Sequence, residues 1–241
     1  MTKPLYAQDA YLKFAQGRVT ARTDEGGLIL DQTVFYPRGG GQPGDSGRLI
    51  WPGGQIEIAT AVKVDGAIVL VPAEAAQLPQ PGTQIDQHLD WNRRFGHMRV
   101  HTALHLLSVA LPFPVTGGAI AADRGRLDFA MPELAEPKEV LEGRLNALIT
   151  RDLRVGETWI AEEELDARPE LVKTMSVAPP RGVGRIRLVQ IGGDDTQIDL
   201  QPCGGTHVAR TAEIGAIAIT KVENKGRKNR RVTLSISAPQ V

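Results

Sequence analysis

The 241-residue chain, with 41% hydrophobic and 23% charged residues, has the composition of a globular protein with one large or two small domains. Its 28 basic and 28 acidic residues cancel, which excludes a general electrostatic attraction for nucleic acid, so a local basic patch would have to hold any polyanion. The single cysteine excludes an internal disulfide, the N-terminal residues lack an apolar signal core, and the most apolar run covers only residues 67–73. We therefore expect a soluble, cytoplasmic protein.

Residues 12–75 predict a β-domain, because short segments rich in β-branched residues alternate there with turn signals. The predicted strands lie in GRVTAR, GLILDQTVFY, GRLIW, QIEIATAV and AIVLV. Residues 24–27, DEGG, predict a hairpin turn, since glycine tolerates a positive φ. Strands at this spacing favour a small barrel or sandwich. The proline-containing stretch LPQPGTQ, residues 78–84, indicates its end, so we place the first domain at residues 1–84.

Residues 85–241 predict an α+β domain. Residues 90–111 carry apolar residues at helical spacing, with Asp90 as the N-cap and Pro112 as the stop. A second helix is predicted over about residues 137–153, with proline in its first turn. Further strands are predicted in GRLDFA, RIRLVQIG, TQIDLQP, GAIAITKVE and RRVTLSIS. Long helices beside consecutive strands are typical of an α+β fold.

Two histidines, His101 and His105, lie in the sequence HTALH on the first of these helices. Residues four apart project from one helical face and could share an ion, but two hydrogen-bonded histidines on a half-buried face fit this pair equally well. A zinc-protease helix would read H-E-x-x-H, and here Thr102 replaces the glutamate that acts as general base. A nucleobase deaminase would need H-x-E and P-C-x-x-C, which the chain lacks. Both of these zinc hydrolase classes are excluded.

Cys203 and His207 form a second pair, C-x-x-x-H, on a glycine-containing turn after a predicted strand. Thiolate and imidazole are the ligands that zinc prefers, so the two pairs together can supply a tetrahedral set. The pairs are far apart in the sequence, which suits a site assembled inside a folded domain better than a zinc finger. The combination favours a metal site over coincidence. His97 lies on the same helical stripe as His101 and His105, and we expect it to contact substrate or to support the ligands.

Three motifs carry a resemblance to a known family. HTALHLL, followed much later by CGGTHVARTAEIG, resembles the editing domain of alanyl-tRNA synthetase and its free-standing relatives, the AlaX proteins. Residues 31–47, DQTVFYPRGGGQPGDSG, are similar to the glycine-rich motif of the small domain that precedes it. The resemblance implies a small β-barrel of the elongation-factor type followed by an α+β editing domain of the threonyl/alanyl-tRNA synthetase type.

The same resemblance implies an activity and a cofactor. The expected activity is trans-editing, the hydrolysis of the ester that joins a wrong amino acid, serine or glycine, to tRNA(Ala). The expected cofactor is Zn²⁺, which would anchor the aminoacyl end or activate water. The metal-binding and catalytic positions of the family match His101, His105, Cys203 and His207.

The glycine-rich segment has no G-K-[ST], so it is not a phosphate-binding P-loop. Taken alone it predicts a turn between strands. The resemblance implies instead that it lies against the editing cleft, where the Thr33 hydroxyl is suited to recognising serine. The expected substrate contacts are Thr33, Gly40, Gly41, Gln42 and His97.

Residues 221–231, KVENKGRKNRR, place basic residues around a predicted hairpin. A solvated turn explains such a run as well as tRNA phosphate contact does, and the resemblance favours tRNA. The expected tRNA-binding residues are Lys221, Lys225, Arg227, Lys228, Arg230 and Arg231. Two other functions stay open: a non-catalytic, zinc-stabilised module that binds tRNA, and a metal-dependent hydrolase of a small ester. The sequence also leaves open whether the protein is a monomer or a homodimer.

Overall fold

The computed structural model describes residues 2–134, 136–175, 178, 181–182, 184–193 and 195–237. The chain forms two compact units, Met1–Gly96 and His97–Val241. Over the described residues, no helix is both long enough and apolar enough to cross a membrane.

The first unit contains eight strands, six of which form a closed barrel, and this confirms the barrel predicted for the N-terminal domain. Its strands are β1 (Lys3–Pro4), β2 (Phe14–Arg22), β3 (Leu28–Leu30), β4 (Gln32–Thr33), β5 (Gly47–Trp51), β6 (Gly54–Val64), β7 (Ala67–Pro72) and β8 (Gln84–Leu89). The barrel closes in the order β2-β3-β7-β6-β5-β8, while β1 and β4 pair in parallel as a separate two-stranded sheet. A short 3₁₀ helix, Leu5–Ala7, follows β1.

The predicted hairpin turn joins β2 to β3. The Thr23 amide donates to the Gly27 carbonyl at 2.9 Å, and Gly26 has a φ of 85°, which costs glycine no steric strain. Alternate side chains of β6 point into the barrel, so that Ile56 and Ile58 are 6% and 2% exposed. The period-two pattern that predicted these strands therefore also defines the core face.

The predicted domain boundary after residue 84 differs from the division between the two units, which falls between Gly96 and His97. The reason is β8, which pairs with both β2 and β5 and so closes the barrel. Its sequence, QIDQHL, is too polar to have been read as a strand. His88 is an exposed residue of this strand.

The glycine-rich segment between β4 and β5 contains a tight turn. The Gly39 and Gln42 backbones exchange hydrogen bonds of 3.1 and 2.9 Å, and the two residues between them, Gly40 and Gly41, have φ values of 57° and 81°. Positive φ at both central positions is typical of a type I′ turn, which explains why glycine stands at each. The prediction of a turn made from this segment alone is confirmed.

The end of the same segment is anchored by a buried ion pair. Asp45 accepts hydrogen bonds from the Arg94 guanidinium, whose Nε lies 3.0 Å from each carboxylate oxygen, and from the Tyr36 amide at 2.6 Å. Arg94 also donates to the carbonyls of Ala10 and Val34, at 2.9 and 2.7 Å. The Arg94 side chain is fully buried, so every one of these groups depends on its neighbours for hydrogen bonding.

The second unit holds most of the first helix, two further helices and two antiparallel sheets. Its elements are α1 (Trp91–Ala110, which begins in the first unit), β9 (Val115–Ile120), β10 (Arg124–Phe129), α2 (Lys138–Thr150), β11 (Val155–Ala161), α3 (Glu162–Asp166), β12 (Arg185–Ile191), β13 (Asp199–Pro202), β14 (Ile217–Asn224) and β15 (Arg230–Ile236). Two 3₁₀ helices are formed by Pro169–Leu171 and Thr211–Ile214. The sheet orders are β14-β15-β10-β9 and β11-β12-β13.

The helix α1 lies close against the four-stranded sheet. A methyl group added at Gly125 on β10 would come within 2.5 Å of Val100 on α1, so glycine permits this approach. The helix begins as predicted, because the Arg93 amide donates to the Asp90 carboxylate at 3.2 Å. It ends at Ala110, just before Pro112. The α+β prediction is confirmed, although β9 and β11 were not predicted.

Candidate metal centre

The two predicted ligand pairs meet in one cluster. His101 and His105 project from α1, and Cys203 and His207 lie in the loop that follows β13. One ligand atom from each of the four residues lies within 4.8 Å of the other three. Cys203 Sγ is 3.5 Å from His101 Nε2 and 3.3 Å from His207 Nε2. Zinc bonds of about 2.0 Å to nitrogen and 2.3 Å to sulfur place tetrahedral ligands about 3.3–3.6 Å apart, and the two distances from Cys203 Sγ match this spacing.

Local structure explains how the cysteine reaches the cluster. The strand β13 ends at Pro202, and the Cys203 amide donates to the Arg187 carbonyl on β12 at 3.2 Å. Arg187 Nη1 returns hydrogen bonds to the carbonyls of Cys203 and Gly205, at 2.8 and 3.0 Å. The guanidinium therefore holds both ends of the short turn that carries the thiol.

The orientation of His207 is set by Thr102. The Thr102 hydroxyl has one proton, and it donates that proton to the Met98 carbonyl at 2.9 Å. It must therefore accept the hydrogen bond from His207 Nδ1, at 3.2 Å, and the one from the Val208 amide, at 3.3 Å. Because Nδ1 carries the proton, the lone pair of the neutral ring is on Nε2, the nitrogen beside Cys203 Sγ.

The orientation of His105 is set by Asp199. Its Nδ1 lies 2.8 Å from Asp199 Oδ2, so the proton is on Nδ1 and Nε2 is left as the ligand atom. The carboxylate is itself held by Lys173 Nζ at 2.5 Å and by Gln201 Nε2 at 2.7 Å. Gln201 Nε2 is also 3.2 Å from the Ser108 hydroxyl on α1. The Asp199 side chain is fully buried, and this arrangement of a carboxylate behind a ligating histidine is typical of metal sites.

The electrostatics of the cluster favour the ligand form of the cysteine. Burial alone would raise the pKa of the Cys203 thiol, but His101 and His207 outweigh it and hold that pKa well below its usual range. Burial lowers the pKa of His207 to about 3, with His101 adding to the effect. For His105, burial is outweighed by the hydrogen bonds to Asp199 and Cys203, which raise its pKa to about 9. A thiolate and a neutral His207 are the forms that bind zinc, whereas His105, with a pKa of about 9, must release the proton on Nε2 when a metal binds.

Cys203 is the most exposed of the four residues in the cluster. His101, His105 and His207 are 7%, 6% and 6% exposed, whereas Cys203 is half-buried. The next residue, Gly204, is exposed, and a methyl group added there would meet no atom within 4 Å. Within the described part of the second unit, the turn at Cys203 and Gly204 is therefore the accessible part of the cluster.

The predicted substrate contacts lie in both units. Thr33 is 1% exposed within the barrel unit, and its hydroxyl is 2.8 Å from Gln87 Oε1 and accepts from the Phe35 amide at 3.1 Å. Gly40 and Gly41 are exposed at the tip of their turn, while Gln42 is fully buried. His97 is the first residue of the second unit and is 2% exposed. Their roles in substrate binding stay predictions.

The predicted tRNA-binding residues fall into two groups. Three have partners within the unit: Lys221 pairs with Glu223 at 2.9 Å, Arg230 donates to Asn224 Oδ1 at 3.0 Å, and Arg231 binds both oxygens of Asp128 at 2.7 and 2.8 Å. The hydrogen bond from Arg231, supported by Arg126, lowers the pKa of Asp128. The second group is Lys225, Arg227 and Lys228, which are exposed at the hairpin tip. Their side chains form no ion pair or hydrogen bond among the described residues.

Sequence reasoning missed the residues that orient the ligands. Thr102 was noted only for not being glutamate, and Asp199, Gln201 and Lys173 were not singled out. A signal was present in the sequence: Asp199 and Gln201 stand at alternate positions of the predicted strand that leads into Cys203, so their side chains share one face of the sheet. Polar side chains that share a sheet face just before a predicted zinc ligand indicate hydrogen-bonding partners for the other predicted ligands.

Together these features define a class of protein: a closed β-barrel followed by an α+β unit with a buried centre of three histidines and one cysteine. Two family models match the chain. One, described as the threonyl and alanyl tRNA synthetase second additional domain, matches residues 186–233, and the other, described as class II (A) tRNA synthetases, matches residues 10–93.

Full-length relatives narrow the class to a family. The chain is 32% identical to the alanyl-tRNA editing protein AlaX-M of Methanosarcina acetivorans, over 98% of this chain and 99% of that protein. It is 33% identical to AlaX-M of Saccharolobus solfataricus over the same shares. Against the alanine–tRNA ligase of Pyrobaculum calidifontis it is 36% identical over 92% of this chain, which covers 25% of the ligase. The chain belongs to the AlaX-M family of alanyl-tRNA editing proteins, as its motifs led us to expect.

Proposed function

We propose that this protein edits tRNA(Ala) in trans by hydrolysing the ester that attaches serine, and secondarily glycine, to the tRNA. The observation that carries the proposal is the cluster of His101, His105, Cys203 and His207, in a chain that matches free-standing editing proteins over nearly its whole length. Such an activity meets a physical need. A pocket that accepts alanine rejects serine, which only adds a hydroxyl, by about a hundredfold at most, so errors must be removed afterwards.

The four side chains would hold a zinc ion through Cys203 Sγ and one nitrogen of each histidine. The ion would supply Lewis acidity, lowering the pKa of a bound water to about 7 and polarising the ester carbonyl. The residues around the ion would orient its ligands. Asp199 and Thr102 hold the ring protons of His105 and His207 away from the cluster. The Gly205 amide, 3.4 Å from Cys203 Sγ, stabilises the thiolate.

The side chain of Asp199 is not available as a general base. It is fully buried and already accepts hydrogen bonds from three donors, His105, Lys173 and Gln201. Thr102, in the position where a zinc protease carries its glutamate, has no carboxylate to offer. These two residues position ligands rather than move a proton of the substrate.

The test of the proposed function is a deacylation assay. Ser-tRNA(Ala), Gly-tRNA(Ala) and Ala-tRNA(Ala) are compared as substrates with zinc-loaded protein, chelator-treated protein and Cys203→Ala. We expect rapid loss of serine, slower loss of glycine, little loss of alanine, and no activity without metal or thiol. Equal rates in metal-free protein would contradict the proposal. Hydrolysis of a minimal seryl ester as fast as that of Ser-tRNA(Ala) would indicate a small-ester hydrolase instead.

We propose, in addition, that Thr33, Gly40, Gly41, Gln42 and His97 contact the aminoacyl end. The Thr33 proposal is tested by the ratio of Ser-tRNA(Ala) to Ala-tRNA(Ala) hydrolysis. Valine at position 33 removes the hydroxyl and should lower the ratio, whereas Thr33→Ser keeps the hydroxyl and should preserve it. If both variants keep the wild-type ratio, Thr33 does not read the serine side chain.

For tRNA contact we propose the basic hairpin at residues 221–231, with its tip as the main phosphate-binding part. Removing one cation that binds a phosphate should reduce the slope of log K against log salt by about 0.7–0.9. Neutralising Lys225, Arg227 and Lys228 together should therefore flatten the slope by about 2–3. Arg231→Ala, which breaks the pair with Asp128, is the matched comparison and should act mainly on stability.

A further inference from the structure

An exposed tryptophan, Trp159, lies level with Cys203 across the three-stranded sheet. Trp159 on β11 is the direct partner of Arg187 on β12, and Cys203 bonds Arg187 from the other side. Residues directly opposite one another project from the same face of a sheet. Two strand spacings separate the backbones of Trp159 and Cys203, which is about 10 Å.

This face is the one that carries the metal centre. Asp199 and Gln201, at alternate positions of β13 just before Cys203, bond to His105 and Ser108 on α1. On the same face, the Trp159 side chain is 43% exposed. An indole is a large apolar surface, and at this exposure it is available to a partner.

Positive charge lies beside the indole. Arg187 is fixed by its hydrogen bonds to the Cys203 turn and by an ion pair with Glu157. Arg185, two residues earlier on the same face, is exposed, and its Nη2 donates to the Trp159 carbonyl at 3.1 Å. An aromatic plane with a cation next to it is the combination that binds unpaired nucleotides, by stacking on the base and by contact with the phosphate.

We propose that Trp159 is a stacking platform for the base of the 3′-terminal adenosine of the aminoacyl-tRNA, with Arg185 contacting its phosphate. The inference rests on the proposed function, because the ester is attached to the ribose of that nucleoside. With the ester carbonyl at the cluster, the base of the same nucleoside lies within reach of the indole, since the backbones at Cys203 and Trp159 are about 10 Å apart. Stacking there orients the ester and needs no base-specific hydrogen bond.

The test compares two substrates, Ser-tRNA(Ala) and serine methyl ester, which has no nucleoside. In Trp159→Ala we expect the half-saturating concentration of Ser-tRNA(Ala) to rise about tenfold, with hydrolysis of the methyl ester unchanged. Trp159→Phe keeps an aromatic plane and should recover most of the loss. The control is Val140→Ala, which trims another exposed apolar side chain of the same unit, 48% exposed on α2. Arg185→Gln should reduce the salt slope of tRNA binding by about one.

A second measurement separates failure of this inference from failure of the proposed function. Binding of 3′-serylamino-3′-deoxyadenosine, whose amide resists hydrolysis, is followed by quenching of tryptophan fluorescence or by calorimetry. If the wild-type protein does not deacylate Ser-tRNA(Ala), the proposed function is refuted, and this titration decides on the platform alone. Weaker binding by Trp159→Ala than by wild type supports the platform. Equal binding, no binding by either protein, or an equal loss with the methyl ester overturns it.

Discussion

Replacing Asp199 by asparagine tests whether a buried carboxylate fixes the ligand form of His105. Asparagine keeps one acceptor oxygen and puts an NH₂ donor in place of the other. The carboxylate accepts from His105 with one oxygen and from Lys173 with the other, so the amide must face one of these donors with a donor of its own. The proton of His105 is then held less firmly on Nδ1, and Nε2 is no longer kept as a lone pair for the metal. We expect the zinc affinity to fall about 10–100-fold, or about 1.4–2.8 kcal/mol.

The measurement is a competition titration against a chromophoric zinc chelator, with the stoichiometry of bound zinc determined alongside it. Cobalt substitution adds a spectrum that depends on the number and geometry of the ligands. The matched control is Asp128→Asn, which breaks ion pairs with Arg126 and Arg231 on the other sheet of the same unit and should leave zinc binding unchanged. An Asp199→Asn protein that is folded and binds zinc as tightly as wild type would refute the reasoning from the His105 tautomer.

Three further predictions follow from side-chain hydrogen bonds within the two units. Thr102→Val leaves the His207 ring proton without its acceptor and should lower zinc affinity about tenfold, whereas Thr102→Ser should bind zinc like wild type in the same titration. Arg94→Met leaves the buried Asp45 carboxylate without its partner and should destabilise the barrel unit by about 3–5 kcal/mol in denaturant unfolding. Asp128→Asn should destabilise the protein by about 1 kcal/mol at pH 7. Because the pKa of Asp128 is lower in the folded than in the unfolded state, its carboxylate contributes stability above about pH 4 that is lost as the pH falls through the folded-state pKa. The destabilisation by Asp128→Asn should therefore vanish in acid unfolding experiments.

The parts of the fold that follow local rules could be predicted from the sequence. The β2–β3 turn needed only glycine chemistry, and the start of α1 needed only an N-cap at Asp90. The ligand pairs were equally accessible, because His101 and His105 are four apart on a helix. Each of these features depends on residues within a few positions of one another, and the sequence displays such relationships directly.

The parts that depend on distant partners could not be predicted in this way. The polar strand β8 becomes a strand because β2 and β5 supply hydrogen bonds on both sides, and its sequence alternation alone is weak. Asp199 is 94 residues from His105, so its role becomes visible only when β13 lies against α1. Likewise, the tip and the base of the hairpin at residues 221–231 carry similar charges in the sequence. Only the structure distinguishes them, by showing that Arg231 at the base donates to the Asp128 carboxylate.

Hydrogen bonds between protein groups hold the four predicted ligands in place, which bears on what a bound metal would do. The turn after β13 is tied to α1 through Thr102, which accepts from His207 and Val208, and β13 itself is tied there through Asp199 and Gln201. These hydrogen bonds are buried and lie in a unit with its own sheets, so we expect the elements that carry the ligands to pack together before an ion binds. A zinc finger differs, since it lacks such a core and unfolds when the metal is removed. Metal-free protein should therefore keep its near-UV circular dichroism while losing deacylation. That combination argues for a reactive centre, because removing a metal whose only role was to stabilise a binding module would also unfold the protein.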